Sequence, residues 1–186
     1  MIHRLAKQNN KLGGFSYNES NPPVFSDIEG EWFRSAIEYM EYKKAFDKKR
    51  GTNINPHVAV TRGEAFKLIC IGLGFTEDTS LPLDQYAQIM LDAGYVQGDE
   101  NGELNISQLI SRAEFCAVYN RVTGRDKAKL ITADGEEITS STYGFTDLSE
   151  DEWYYETMLK ATSAYDENGY VDIEQRGVRN NLDDYK

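Results

Sequence analysis

The feature that most constrains the fold is a four-residue motif that occurs twice, fifty residues apart. Residues 61–64 read TRGE and open the stretch TRGEAFKLICIGLGF, and residues 111–114 read SRAE and open SRAEFCAVYNRVTGR. In both stretches apolar residues then recur at spacings of three and four, and a glycine follows at Gly72 or Gly74 and at Gly124. The pattern predicts two amphipathic helices that begin at the motif and end near the glycine.

A second pattern precedes each motif and extends the repeat. FSD at residues 25–27 and FTD at residues 145–147 are each followed by an acidic stretch and a tryptophan, Trp32 or Trp153. The segment from Leu81 lacks that opening but keeps a helical pattern, and polar connections rich in glycine and asparagine lead into both motifs. The repeating unit is therefore helix, loop, helix, with a period of about fifty residues. We expect a mainly all-α fold.

These patterns divide the chain into five segments. We expect a loose leader at 1–23, a first repeat at 24–75, a second at 76–125, and a truncated third at 144–186. Residues 126–143 break the period, and the pair Asp134-Gly135 between short apolar stretches predicts a small β-hairpin there.

Charge and hydropathy exclude two classes of function. The net charge of −11 argues against nucleic-acid binding, which needs a basic face. No run of 18 apolar residues is present, so we expect no membrane insertion. The first twenty residues lack the apolar centre of a secretory signal, which indicates a cytoplasmic chain or a piece of a longer exported protein.

Catalytic and metal-binding signatures are equally scarce. His3 and His57 have no nucleophile signature nearby, and no phosphate-binding glycine loop appears, so we expect no enzyme activity and no cofactor. The acidic turns at Asp99 and Asp166 fail the EF-hand spacing, so we expect no metal site. The two cysteines, at positions 70 and 116, lie in helical apolar patterns and are expected to be buried free thiols.

Two of the four motif residues have a structural explanation. Thr61 with Glu64, and Ser111 with Glu114, match a capping box, in which the hydroxyl accepts from the third helical N–H and the carboxylate accepts from the N–H of the cap.

The arginines and tryptophans leave two interpretations open. A positive charge in the first helical turn opposes the macrodipole, so Arg62 and Arg112 need compensation. The compensation is either an internal salt bridge or an anion site formed by the guanidinium and the helix N-terminus. Trp32 and Trp153 are likewise either core anchors or flat faces that line a sugar-binding groove.

The opening Phe-Ser/Thr-Asp, the tryptophan, the polar loop and the Thr/Ser-Arg-Gly/Ala-Glu block together resemble the S-layer homology domain, across roughly residues 24–184. The sequence departs from the pattern in the opening of the second repeat. It departs again in the third repeat, which lacks the Thr-Arg-x-Glu block.

The resemblance implies three repeats arranged as a pseudo-threefold helical prism. It also implies binding to a pyruvylated secondary polysaccharide of the bacterial cell wall, so that the chain anchors a larger extracellular envelope protein. Carried over to this chain, the motif arginines would clamp the ligand carboxylate and the tryptophans would line the groove walls. The resemblance also implies that Asp27 and Asp147 shape the loops that follow them, and that Gly98 and Asp99 lie where a loop approaches the sugar. The alternative is a degenerate scaffold that binds a protein partner.

Overall fold

The computed structural model describes residues 2, 6 and 13–173, and this part of the chain is mainly helical. The helices with described bounds are α1 (Arg34–Tyr42), α2 (Arg62–Leu73), α3 (Leu83–Asp92), α4 (Arg112–Thr123), α5 (Ser140–Tyr143) and α6 (Tyr155–Thr162). A short 3-10 helix spans Arg125–Lys127. Within the described residues, extended backbone pairs only at isolated bridges and forms no strand. The predicted mainly all-α fold class is confirmed, and the pseudo-threefold arrangement stays a prediction.

The helices fall into two compact units, one within residues 1–110 and one that begins at Ser111. In the first unit α2 packs on α1 and on α3, and in the second unit α4 packs on α6. In each unit a long motif helix thus packs on a shorter helix that follows it in the chain, α2 on α3 and α4 on α6. A single helix-loop-helix unit cannot bury its own apolar face, so packing between successive units is expected of the predicted repeats.

Both motif helices begin and end as local chemistry dictates. The hydroxyls of Thr61 and Ser111 each accept from the backbone N–H three residues on at 3.2 Å, and the glutamate there accepts in return at 2.7 and 2.8 Å. Gly74 and Gly124 follow the last helical residues with φ of 71° and 72°. This left-handed conformation suits glycine and stops the helix.

The first unit is built around large, fully buried side chains. They include Tyr39, Phe66, Tyr86 and Met90, and the Tyr39 hydroxyl donates to the carbonyl oxygen of Gly72 at 2.6 Å. The cysteines belong to the buried interior: both are free thiols, as predicted, Cys70 in the first unit and Cys116 in the second.

The leader differs from the expected loose segment in its described second half. The ring of Phe15 packs against Tyr39 and Tyr42 of α1, with centroids 5.5 and 5.6 Å apart. Buried Arg34 donates to the carbonyl oxygens of Glu19 and Asn21. The sequence pattern missed this packing because the segment has no periodicity of its own and is ordered by contacts with α1.

The predicted hairpin in the insertion is reduced to a tight turn. Ile131 and Glu137 form a single antiparallel bridge around Gly135, whose φ is +88°, and the Ile138 N–H donates to the carbonyl oxygen of Leu130 at 2.8 Å. The N–H of Val171 also donates to the carbonyl oxygen of Ile131 at 2.9 Å, which ties the insertion to the third repeat.

In the predicted third repeat, the turn at Asp166 has the same hydrogen bonds as the turn at Asp99, which precedes the second motif. The carboxylate of Asp99 accepts from the backbone N–H groups two and four residues on, at 2.8 and 3.0 Å. Asp166 accepts from the equivalent pair at 2.9 Å each. The remainder of this repeat, 174–186, lies outside the described residues.

Candidate functional site

A groove of about 360 Å³ in the second unit is lined by three of the residues that the resemblance assigned to ligand binding. Arg112, Asp147 and Trp153 all line it. The other lining residues are Ser111, Ala113, Phe145, Leu148, Tyr154 and Met158. One wall is therefore the first turn of α4, and the opposite wall comes from the opening of the third repeat and from α6.

Arg112 is the first residue of α4 and its side chain is exposed. Within the described part of the chain, its guanidinium makes no hydrogen bond and no ion pair. Burial raises the pKa of the Cys116 thiol above its ordinary value, and the nearby positive charge of Arg112 partly offsets that rise. The internal salt bridge offered as one interpretation is therefore not formed at this arginine among the described residues.

The backbone at the start of α4 has two N–H donors in residues that line the groove. Among the described residues, no carbonyl accepts from the N–H of Arg112 or the N–H of Ala113. The first N–H groups of a helix have no partner inside the helix and carry its positive dipole end. A guanidinium and two backbone N–H groups, in two adjacent residues that line one groove, are an arrangement suited to a carboxylate or phosphate.

Trp153 supplies a flat apolar surface next to these donors. Its side chain is 65% exposed, and its ring packs edge-on against Tyr154 with centroids 5.4 Å apart. Exposure of the large apolar face of an indole to water is energetically unfavourable, so an exposed tryptophan in a groove indicates a binding surface. Asp147, also in the groove, offers acceptor oxygens to a ligand hydroxyl.

The first motif is used differently, although its sequence is nearly the same. The Nε–H of Arg62 donates to the carbonyl oxygen of Leu104 at 2.9 Å, and the guanidinium lies over the ring of Phe66. The N–H groups of Arg62 and Gly63 donate to the carbonyl oxygens of Gln108 and Ile106 at 2.8 and 2.9 Å. The loop that precedes the second motif thus occupies the N-terminus of α2, and the three donors hold the protein's own backbone.

The two tryptophans share high exposure but not the same surroundings. Trp32 is 57% exposed and packs edge-on against Phe33, whose ring in turn lies 5.9 Å from that of His57. Neither Trp32 nor Trp153 is a core anchor. Trp153 lines a groove together with a motif arginine, Arg112.

Asp27 organises a loop in the first unit. Its carboxylate accepts from the N–H groups of Ile54 and Asn55 at 2.9 and 2.7 Å. Burial by itself raises the pKa of Asp27, but these N–H donors outweigh it, and the net pKa lies below its ordinary value.

Gly98 and Asp99 likewise organise a loop in the first unit. Asp99 accepts from the side-chain amide of Asn105 at 2.9 Å as well as from its turn, and these donors lower its pKa. A Cβ on Gly98 would lie 2.4 Å from the carbonyl carbon of Gly102, so this position requires glycine. All these contacts are internal to the protein.

Two of the groove residues, Leu148 and Met158, belong to none of the motifs named from the sequence. Together with Phe145 of the FTD opening, they line the groove with apolar side chains. One sequence difference does separate the two motifs, namely glycine at 63 against alanine at 113. A Cβ at Gly63 would lie 3.1 Å from Leu83 Cβ and 3.2 Å from the Ile106 carbonyl oxygen, so glycine permits the close approach of the 104–108 loop.

Two further surveys of the described residues bear on function. None of the helices with described bounds is long and apolar enough to cross a bilayer. Across the same residues, no group of three or more His, Cys, Asp or Glu side chains is arranged to hold a metal ion.

Comparison with known proteins gives one family and one relative. Residues 24–66 and 83–116 match the S-layer homology domain, and these segments include Arg62 and Arg112 respectively. The surface-layer 125 kDa protein of Lysinibacillus sphaericus is 35% identical over 82 residues, which are 44% of this chain and 6% of the relative. The aligned part is thus a small fraction of that protein's length. No solved structure matches the chain.

Proposed function

We propose, from the premise that residues 24–66 and 83–116 are S-layer homology domains, that this chain binds an anionic cell-wall polysaccharide through the groove at Arg112. S-layer homology domains are typical of cell-wall anchoring and are non-catalytic, and their presence implies a cell-envelope protein. The chain would hold a larger envelope protein to the wall without a covalent bond.

The observation that carries this proposal is the set of three donors at the start of α4. The Arg112 guanidinium and the N–H groups of Arg112 and Ala113 have no acceptor among the described residues, and all belong to residues that line the groove. A ketal-linked pyruvate presents a carboxylate, which the planar guanidinium can bind through two oxygens. The sugar ring that carries the ketal would lie against Trp153, with its hydroxyls toward Asp147.

The chain is acidic overall, yet this does not exclude an anionic ligand. A local anion site depends on the charges that immediately surround it, and here one arginine and a helix N-terminus face one carboxylate. This near balance of positive and negative charge predicts a moderate affinity for the anionic ligand. Because the groove is open to solvent, the affinity should also fall as the salt concentration rises.

The experiment is sedimentation of the chain with purified cell-wall sacculi, prepared with and without the pyruvylated polymer. We expect the wild type to sediment only when the polymer is present. Arg112→Ala removes charge-assisted hydrogen bonds that are worth about 1.5–3 kcal/mol, so its affinity should fall by about 10- to 100-fold. Arg112→Lys keeps the positive charge but lacks the planar guanidinium that binds two oxygens at once. Its affinity should therefore fall, but by less than that of Arg112→Ala.

The second candidate is a scaffold that binds a protein partner. Three apolar side chains of the first unit, Val58, Val60 and Leu109, are 68%, 38% and 63% exposed. They lie close together, because Thr61 pairs with Leu109 and the Ile110 N–H donates to the Val60 carbonyl oxygen. Exposed apolar patches are typical of protein contacts. Wild-type protein that stays in the supernatant with polymer-bearing sacculi would favour this candidate.

A further inference from the structure

The same turn occurs in all three predicted repeats, but its charge is reversed in the first. In each turn the N–H of the fourth residue donates to the carbonyl oxygen of the first, at 3.2, 2.9 and 3.2 Å, and the turns are 49–52, 99–102 and 166–169. The first two residues are aspartate and glutamate in the later repeats, and Lys49 and Arg50 in the first. The turn thus forms with either charge, so its backbone geometry does not account for the two cations.

The basic turn belongs to a segment that concentrates positive charge on an acidic chain. Residues 41–50, the basic segment, contain four lysines, one arginine and two carboxylates, whereas the whole chain has a net charge of −11. The segment spans the end of α1 and the loop after it. The loops that follow α3 and α6 in the later repeats, 93–104 and 163–171, contain no lysine or arginine. The helix-loop-helix unit therefore does not require this charge.

The protein itself neutralises little of the basic segment. Glu41 Oε2 lies 2.9 Å from Arg50 Nη1. Asp47 Oδ2 lies 2.7 Å from Lys67 Nζ, so the second carboxylate is held by a cation of α2. Across the described part of the chain, no ion pair is formed by the four lysines of the segment, namely Lys43, Lys44, Lys48 and Lys49. Like charges that lie close together repel each other, which favours an anionic partner at this surface.

A second copy of this chain carries the complementary charge. Residues 48–50 are the one run of three consecutive basic residues in the sequence, and residues 150–152, Glu-Asp-Glu, are the one run of three consecutive acidic residues. The side chains of both runs are exposed. Among the described residues, none of the three acidic side chains forms an ion pair. The two runs therefore match in length, exposure and opposite charge, as contact surfaces do when electrostatics selects the partner.

We propose that the basic segment binds residues 150–152 of a second copy of this chain. The contact joins two different surfaces, so each bound copy keeps one free surface of either kind, and copies can add head to tail. Tyr42, 46% exposed, begins the loop end of the basic segment and gives the contact an apolar ring. Residues 41–50 and 150–152 do not line the Arg112 groove, so the proposal is independent of the proposed function.

The expected contact is weak and depends on salt. Each exposed ion pair contributes little, and dissolved ions screen it. We expect a dissociation constant of about 0.1–1 mM at about 20 mM salt, and an increase of at least about tenfold at about 300 mM salt. Sedimentation velocity of the full chain over a range of concentrations measures both values, because the mean sedimentation coefficient rises as copies associate.

Two charge-reversed variants identify the surfaces. The first is Lys44→Glu with Lys49→Glu; Lys48 is left unchanged because its charge acts on the Asp27 carboxylate, which organises a loop. The second is Glu150→Lys with Glu152→Lys. Each variant alone should sediment as a monomer at low salt. An equimolar mixture should associate again, because each variant retains the surface that the other has lost, and this recovery also shows that both are folded.

The matched control is Lys127→Glu with Lys129→Glu, which changes the net charge by the same amount at two exposed lysines outside both surfaces. It should associate as the wild type does. A wild type that is monomeric at every concentration and at both salt concentrations would overturn the proposal. If that monomer binds inorganic polyphosphate and Lys44→Glu with Lys49→Glu abolishes the binding, the basic segment serves an anionic polymer instead.

The mixture gives the most specific test of the pairing. If each variant alone is monomeric but their mixture does not associate, the basic segment and residues 150–152 do not bind each other, and the proposal is wrong. Association that persists in the Lys44→Glu and Lys49→Glu variant has the same meaning. None of these outcomes changes the expected sedimentation with polymer-bearing sacculi, so the proposed function succeeds or fails separately.

Discussion

The Nε–H of Arg62 donates to the carbonyl oxygen of Leu104 at 2.9 Å. This contact joins the first motif to the loop that precedes the second, and it gives Arg62 a structural task. Arg112 occupies the same place in its own motif and has no comparable acceptor among the described residues. Two near-identical motifs thus differ in what their donors face.

The contact between Arg62 and Leu104 predicts that Arg62→Ala affects stability rather than binding. Loss of one partly buried hydrogen bond should lower the free energy of unfolding by about 0.5–1.5 kcal/mol, measured by chemical denaturation. Sedimentation with polymer-bearing sacculi should match the wild type at a temperature where the variant is folded. A variant of unchanged stability that no longer sediments would reverse the assignment of the two arginines.

The hydrogen bonds to Asp99 predict that its contribution to the stability of the fold depends on pH. Its pKa is lowered by the Asn105 amide first and then by the backbone N–H groups of Glu103 and Asn101. A carboxylate with a lowered folded-state pKa stabilises the fold above its unfolded pKa of about 3.9, and the stabilisation disappears as the pH falls through the folded value. Asp99→Asn should therefore be less stable than the wild type at neutral pH, and the gap should narrow between about pH 5 and pH 3.

Denaturant unfolding at several pH values measures that gap. Glu100→Gln is the matched control, because it removes one negative charge from the same loop at an exposed side chain with no hydrogen bond in the described structure. If the difference in the free energy of unfolding between the wild type and Asp99→Asn stays constant with pH, the loop does not depend on the ionised carboxylate.

The packing of Gly98 predicts that Gly98→Ala is destabilising. Its Cβ would lie 2.4 Å from the carbonyl carbon and 2.7 Å from the Cα of Gly102, and this backbone cannot move without breaking the turn at Asp99. We expect a loss of about 1–3 kcal/mol in the free energy of unfolding. Gly102→Ala provides a comparison, because its Cβ meets nothing within 4 Å but its φ is +81°. Equal denaturation midpoints for Gly98→Ala and the wild type would contradict the crowding.

Burial of the thiols predicts that the native chain is inert to thiol reagents. Burial raises the pKa of Cys70 to about 12, and it also raises the pKa of Cys116. Because the thiolate is the reactive form, neither cysteine should react at about pH 8 in the folded protein. Both should react once guanidinium chloride unfolds the chain. Rapid reaction of one thiol in the native state would show that its helix opens locally.

Much of the fold could be predicted from the sequence because its determinants are local. The capping boxes at Thr61 and Ser111 and the glycines at 74 and 124 act within one helical turn, so residue order alone specifies where α2 and α4 begin and end. The mainly helical class follows from the same short-range patterns. The packing of Phe15 on α1 could not be predicted, since it depends on residues 24 and 27 positions away.

For the candidate site, too, the sequence predicted the local features but not the contacts between distant segments. Residue order by itself determined that Arg62 and Arg112 stand in the first turn of capped helices and that Trp32 and Trp153 follow acidic turns. Only the tertiary structure decided that Arg112, Asp147 and Trp153 share a groove while the donors at Arg62 hold the 104–108 loop. Whether a donor at a helix terminus remains available depends on which distant carbonyl reaches it, and that is a property of packing between segments far apart in the chain.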